Sequence, residues 1–75
     1  MKRFRVDAHD GYQLINRQFF DALPDAESHY RQTDAPPLVI MQLWQYEPPV
    51  DLVFGHKIRG GWRMLAEKIG MEEFP

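Results

Sequence analysis

Residues 36–58, PPLVIMQLWQYEPPVDLVFGHKI, are the most apolar stretch of the chain, and Glu47-Pro48-Pro49 breaks them once. A proline has no N–H to give to a sheet ladder, so two adjacent prolines belong in a turn rather than inside a paired strand. The stretch is therefore expected to form two strands around that break. Residues 38–46, LVIMQLWQY, are rich in the β-branched and aromatic side chains that suit a pleated, half-buried surface. After the turn, Val50, Leu52, Phe54, His56 and Ile58 alternate with Asp51, Val53, Gly55, Lys57 and Arg59. That period of two is the mark of a strand with one face buried.

The flanking segments are read against this hairpin. In residues 2–8, Phe4, Val6 and Ala8 alternate with Arg3, Arg5 and Asp7. This predicts a strand, and its basic side suits an edge that resists pairing with other chains. Asp10-Gly11 follows and has two readings. Between alternating residues it is a hairpin signal, and with Gln13 three residues later Asp10 also makes a capping box. Tyr12, Ile15, Phe19, Ala22 and Leu23 fall on one helical stripe. That favours a helix over residues 11–23, stopped by Pro24. Residues 24–37 are polar with three prolines and read as a long loop holding one helical turn near residues 25–30. Gly60-Gly61 ends the apolar stretch. Trp62, Leu65, Ala66 and Ile69 then recur at i, i+3, i+4 and i+7, predicting a second helix that closes at Gly70 ahead of an acidic tail over 71–75.

The expected fold is a single α+β domain over residues 1–75 in the order β-α-β-β-α. It has a three-stranded, mainly antiparallel sheet with two helices on one face. Trp44, Phe54, Phe19, Ile15, Trp62, Leu65 and Ile69 are its expected core. A chain of 75 residues buries only about 60% of the surface it exposes when unfolded, so two Trp, three Tyr and five Phe are useful material. Residues 61–70, GWRMLAEKIG, resemble the second helix of death domains. Residues 65–71, LAEKIGM, resemble the first helix of a helix-turn-helix. Each resemblance covers about ten residues or fewer, and no function is carried over from either.

The composition narrows the function classes. The absence of cysteine excludes thiol catalysis, disulfides and thiolate metal sites, and it fits a reducing compartment. A formal net charge of −2 argues against a general nucleic-acid binder. The start, MKRFRVDAHDG, has no apolar run behind its basic flank, so it does not read as a signal peptide. No apolar run approaches the roughly 20 residues that span a bilayer. A cytoplasmic protein with no membrane role is the expectation.

Four groups of residues are candidates for chemistry or binding. Asp7, His9 and Asp10 of DAHD, joined by His29 or Glu27, have the mixed carboxylate and imidazole character of a zinc or non-haem metal site. Without HxH, HExxH or CxxC spacing, a strand end and a turn explain them more simply. His56 lies between Phe54 and Ile58 on an apolar side and has no Ser or Cys nucleophile pattern beside it. Lys57, Arg59 and Arg63 surround Gly60-Gly61-Trp62, a turn whose N–H groups could hold an anion while the Trp stacks a base. The fourth group is a face of the hairpin. If Tyr46 faces Val50, then Leu38, Ile40, Gln42, Trp44 and Tyr46 lie towards the helices. Val39, Met41, Leu43 and Val53 then lie on the other side as an apolar patch rimmed by polar residues. That patch carries the favoured expectation: a non-enzymatic regulator, adaptor or inhibitor without cofactor that binds another protein, or a second copy of itself. Anion or nucleic-acid binding and metal-dependent catalysis are the alternatives.

Overall fold

The computed structural model describes residues 2–51, 55 and 57–70. The elements in chain order are β1 (Phe4–His9), β2 (Leu14–Phe20), α1 (Leu23–Gln32), β3 (Ile40–Glu47), β4 (Val50–Asp51), β5 (Lys57–Ile58) and β6 (Gly61–Ile69). One antiparallel four-stranded sheet has the order β2-β1-β3-β6, and β4 and β5 pair with each other as a separate short ribbon. The α+β class holds, and among the described residues the main sheet has four strands and is covered by one helix, in place of three strands and two helices.

The first predicted helix, over 11–23, is the second strand of a hairpin. Asp10 serves both readings of its sequence with different atoms. Its Oδ1 accepts from the N–H groups of Tyr12 (2.8 Å) and Gln13 (2.9 Å), as a helix cap would, while its own N–H donates to the Gln13 carbonyl (3.2 Å) and turns the chain back. Those bonds hold its carboxyl below the usual carboxylate range. Gly11 at φ 93 supplies the left-handed residue of the turn.

The second predicted helix, over 62–69, is β6, so both helical resemblances fail. Each misread strand contains a bulge. The register passes from Ala8↔Asn16 to His9↔Leu14, which leaves Ile15 as the extra residue on β2. It passes from Leu43↔Ala66 to Trp44↔Met64, which leaves Leu65 extra on β6. An extra residue shifts the parity of a strand, so alternation on either side of it adds up to i, i+3 and i+4 spacings. That is how two strands came to carry a helical stripe.

The helix lies where a long loop with a single helical turn near residues 25–30 was expected, and it extends that turn to Leu23–Gln32. Pro24 starts it instead of stopping one, since the first turn of a helix needs no donor from that residue. Asp25 sits in the first turn and Arg31 in the last, both favourable to the helix dipole. Lys68 of β6 finishes the helix from outside: its Nζ donates to the carbonyls of Tyr30 (2.5 Å) and Thr33 (2.8 Å). Leu23, Ala26 and Tyr30 face the sheet. There Val6, Met41, Leu43 and Ala26 are buried, with Phe4, Ala8, Phe20 and Ala66 packed around them.

The expected packing is thus inverted. Met41 and Leu43, predicted as an exposed patch, are each 3% exposed beneath the helix. Of the predicted core, Phe19, Ile15, Leu65 and Ile69 are exposed, Trp44 and Trp62 are half-buried, and Phe54 lies outside the described residues. The predicted pairing of Tyr46 with Val50 also gives way: β3 runs between β1 and β6, and Val50 pairs with Ile58. Nor is β1 an edge. It is an inner strand, paired on both sides.

Between α1 and β3 the chain makes a tight turn in which Val39 N–H donates to the Pro36 carbonyl (3.0 Å). Gly70 packs into this corner. A Cβ there would collide with the carbonyl oxygens of Pro36 and Ala35. Pro37 fits the first central position of the turn, but Leu38 occupies the second at φ 65, where glycine or asparagine is usual. The left-handed region costs a residue with a side chain about 1–2 kcal/mol. Leu38 is 64% exposed, so its side chain contributes little packing in return. Leu38→Gly is expected to raise stability by up to about 1 kcal/mol, after the entropy of the freed glycine is subtracted. Thermal unfolding reads this directly, and a lower midpoint for the variant would contradict the turn geometry.

Candidate functional site

Cross-strand partners share a face of a sheet, so the register lays out the side of the sheet opposite the helix row by row. One row is Phe19, Arg5, Trp44 and Met64. The next is Arg17, Asp7, Gln42 and Glu67. A third is Leu14, His9, Ile40 and Ile69, and Tyr46 beside Trp62 continues the face at the other end. Among the described residues no helix or strand lies over this side.

The aromatic row is organised by Arg5. Its guanidinium carbon stands 4.4 Å from the centre of the Trp62 ring and 5.0 Å from that of Trp44. A guanidinium over an indole face is attracted by the ring quadrupole. Trp62 is also tilted against Tyr46 at 5.4 Å and against Phe19 at 6.1 Å between ring centres, within the range preferred by aromatic pairs. Two indoles therefore flank the cation, and Tyr46 and Phe19 pack against one of them.

The polar row is a chain of hydrogen bonds and ion pairs. Arg17 grips the Asp7 carboxylate with Nε (2.9 Å) and Nη2 (3.1 Å). Arg5 Nε stands 3.2 Å from Oδ2, the oxygen that Arg17 Nη2 also reaches, an ionic contact in which the N–H is not aimed to form a hydrogen bond. Asp7 is 3% exposed, though it lies on the uncovered side, because the two arginines cover it. Burial lowers the pKa of Arg5 against the pull of Asp7, and the hydrogen bonds to Asp7 raise that of Arg17. Further along, Trp44 Nε1 donates to Gln42 Oε1 (3.3 Å), and Gln42 Nε2 donates to Glu67 Oε2 (2.6 Å).

The predicted site residues are scattered relative to this face. Met41 and Leu43 are in the core, Val39 is half-buried, and Val53 lies outside the described residues. Asp7 and His9 share a face, but Asp7 is taken by its arginines and Asp10 by its own turn. Among the described residues no group of three or more His, Cys, Asp or Glu is placed to hold a metal ion. His29 sits against the Phe20 ring at 5.3 Å, and Glu27 is 3.9 Å from Arg31. His56 and the side chain of Lys57 lie outside the described residues. Arg59 is exposed, and Arg63 pairs with Glu47 at 3.3 Å. Sequence reasoning missed Arg5, Arg17, Phe19 and Met64 as members of one surface. The signal for Arg5 was present, since charged residues alternate along β1, but an inner strand gives them work that an edge would not.

Comparison with family models, with curated proteins and with solved structures finds no match to this chain. Among the described residues no helix is long and apolar enough to cross a membrane.

Proposed function

We propose that the domain is a non-enzymatic protein-binding module that works through the helix-free face of its sheet. The observation that carries this reading is the exposure of Phe19 (41%), Met64 (44%) and Ile69 (56%) on one side of a four-stranded sheet. Large apolar side chains gathered on one face and bordered by charges are a recognition surface, unlike apolar residues scattered singly. Aromatic, methionine and arginine side chains are also those enriched where proteins meet. No cavity that could enclose a small substrate forms among the described residues. The arginines of the face are partnered by Asp7, which favours a protein over a polyanion.

The test uses the folded domain immobilised as bait in a lysate of its native host, beside Met64→Glu and the helix-surface control Ser28→Glu. A true partner is retained by wild type and by Ser28→Glu. It is lost with Met64→Glu by about 30-fold or more, the weight of a central contact residue. If Met64→Glu retains every protein that wild type retains, the face is not the binding surface. Retention that falls steeply with added salt and with nuclease would point to nucleic acid instead.

A further inference from the structure

The residues at the two ends of each row on the open face complement each other. Arg17 on β2 ends a row that Glu67 finishes on β6. Phe19 on β2 is matched by Met64 on β6, and Leu14 by Ile69. Within one chain the backbones of these pairs are separated by the two inner strands. Consider a two-fold axis parallel to the strands, passing above the seam between β1 and β3. It lays β2 of one copy over β6 of the other and β1 over β3, and it keeps every row level. Arg17 then meets the second copy's Glu67, Phe19 meets Met64, and Leu14 meets Ile69. Each contact occurs twice, as an isologous interface requires.

Resting on the reading that this face binds protein, we infer that its occupant is a second copy of the chain, packed sheet on sheet with β2 over β6. The strand directions of the two sheets stay close to aligned, the common geometry of stacked sheets about 10 Å apart. The size of the face sets the strength. Four strands about 4.8 Å apart and about seven residues long at 3.3 Å each present roughly 450 Å² of flat area per copy. The two copies together give about 900 Å² before side-chain relief is added, against ~1,200–2,000 Å² for standard interfaces. The association is therefore reversible and depends on concentration.

Two measurements on the pure full chain test this. Light scattering across a concentration series should show the mass rise from 8.9 kDa towards twice that value. Glu67→Arg, which sets like charges against Arg17 of the second copy, should weaken association about tenfold while leaving the urea midpoint nearly unchanged. Since the chain has no cysteine, single-cysteine variants give the register cleanly. A mixture of Phe19→Cys and Met64→Cys should be joined by a short bis-maleimide far more efficiently than either variant alone. A wild-type mass that stays at the monomer value at every concentration overturns the inference. So does a dimer in which Phe19→Cys alone cross-links as well as the mixture, because that places the axis elsewhere. Should the chain stay monomeric while Met64→Glu still loses a captured partner, the protein-binding reading stands and only the second copy is lost.

Discussion

Leu43→Lys is expected to unfold the domain, while Met64→Lys on the opposite side of the sheet leaves it folded. Leu43 pairs with Val6 on one side and Ala66 on the other, and it lies with Ala26 in the small buried cluster under the helix. A chain of 75 residues has a total stability of about 4–11 kcal/mol. Removing a buried leucine side chain alone costs about 2–5 kcal/mol. Lysine adds the cost of taking an ammonium out of water in a place with no acceptor provided for it. Among the described residues the buried apolar side chains are Val6, Ala26, Met41 and Leu43, so this cluster has little reserve from which to absorb the change. Circular dichroism with urea titration decides the matter. Leu43→Lys should show no cooperative transition, and Met64→Lys should keep one. If Leu43→Lys unfolds with a wild-type midpoint, the helix does not cover this side of the sheet.

That inversion of faces shows what the sequence could and could not carry. Residues 38–46 are apolar at both parities, with Val39, Met41 and Leu43 on one face and Ile40, Trp44 and Tyr46 on the other. A strand of that kind does not announce which side the helix takes, and a one-residue change of parity exchanges the faces completely. The arbiter is β1, whose even positions are Phe4, Val6 and Ala8 and whose odd positions are Arg5, Asp7 and His9. Once β1 pairs with β3 so that Val6 meets Leu43, the aliphatic side must be the covered one. The alternation of β1 was legible, but its register against β3 was not.

The strands lost to helix predictions failed for a different reason. Ile15 and Leu65 are bulge residues, and no local pattern marks a bulge before its partner strand is known. Pro24 failed through direction, because a proline that ends one helix and a proline that opens another look alike until the capping residues are placed. The open face was invisible for both causes at once. Its four rows draw on β2 and β6, the two strands whose bulges disguised them.

Asp7→Ala is expected to destabilise the domain by about 2–3 kcal/mol, although Asp7 belongs to the open face and not to the helix-covered core. Its carboxylate is the single anion between Arg17, which holds it at 2.9 and 3.1 Å, and Arg5, which stands at 3.2 Å. Removing one member of a buried ion pair typically costs about 3–5 kcal/mol, because the charge left behind has lost its compensation. The expected cost lies below that range because the Arg17 side chain is 38% exposed and water partly replaces the lost partner. Arg5 has no such relief. It is 14% exposed and confined between Trp44 and Trp62, which attract a cation but cannot accept its hydrogen bonds. The loss should therefore fall mainly on Arg5, and a second substitution can show it. Arg5→Met in the Asp7→Ala background removes the stranded cation and fills the same space among the rings, so it should recover part of the stability. Arg17→Met in that background should recover less. Urea unfolding of the single and double variants gives both comparisons. If Asp7→Ala unfolds with the wild-type midpoint, the carboxylate is a solvated surface charge. If Arg17→Met is the better rescue, the stranded cation is Arg17 and the ring cage is not where the cost arises.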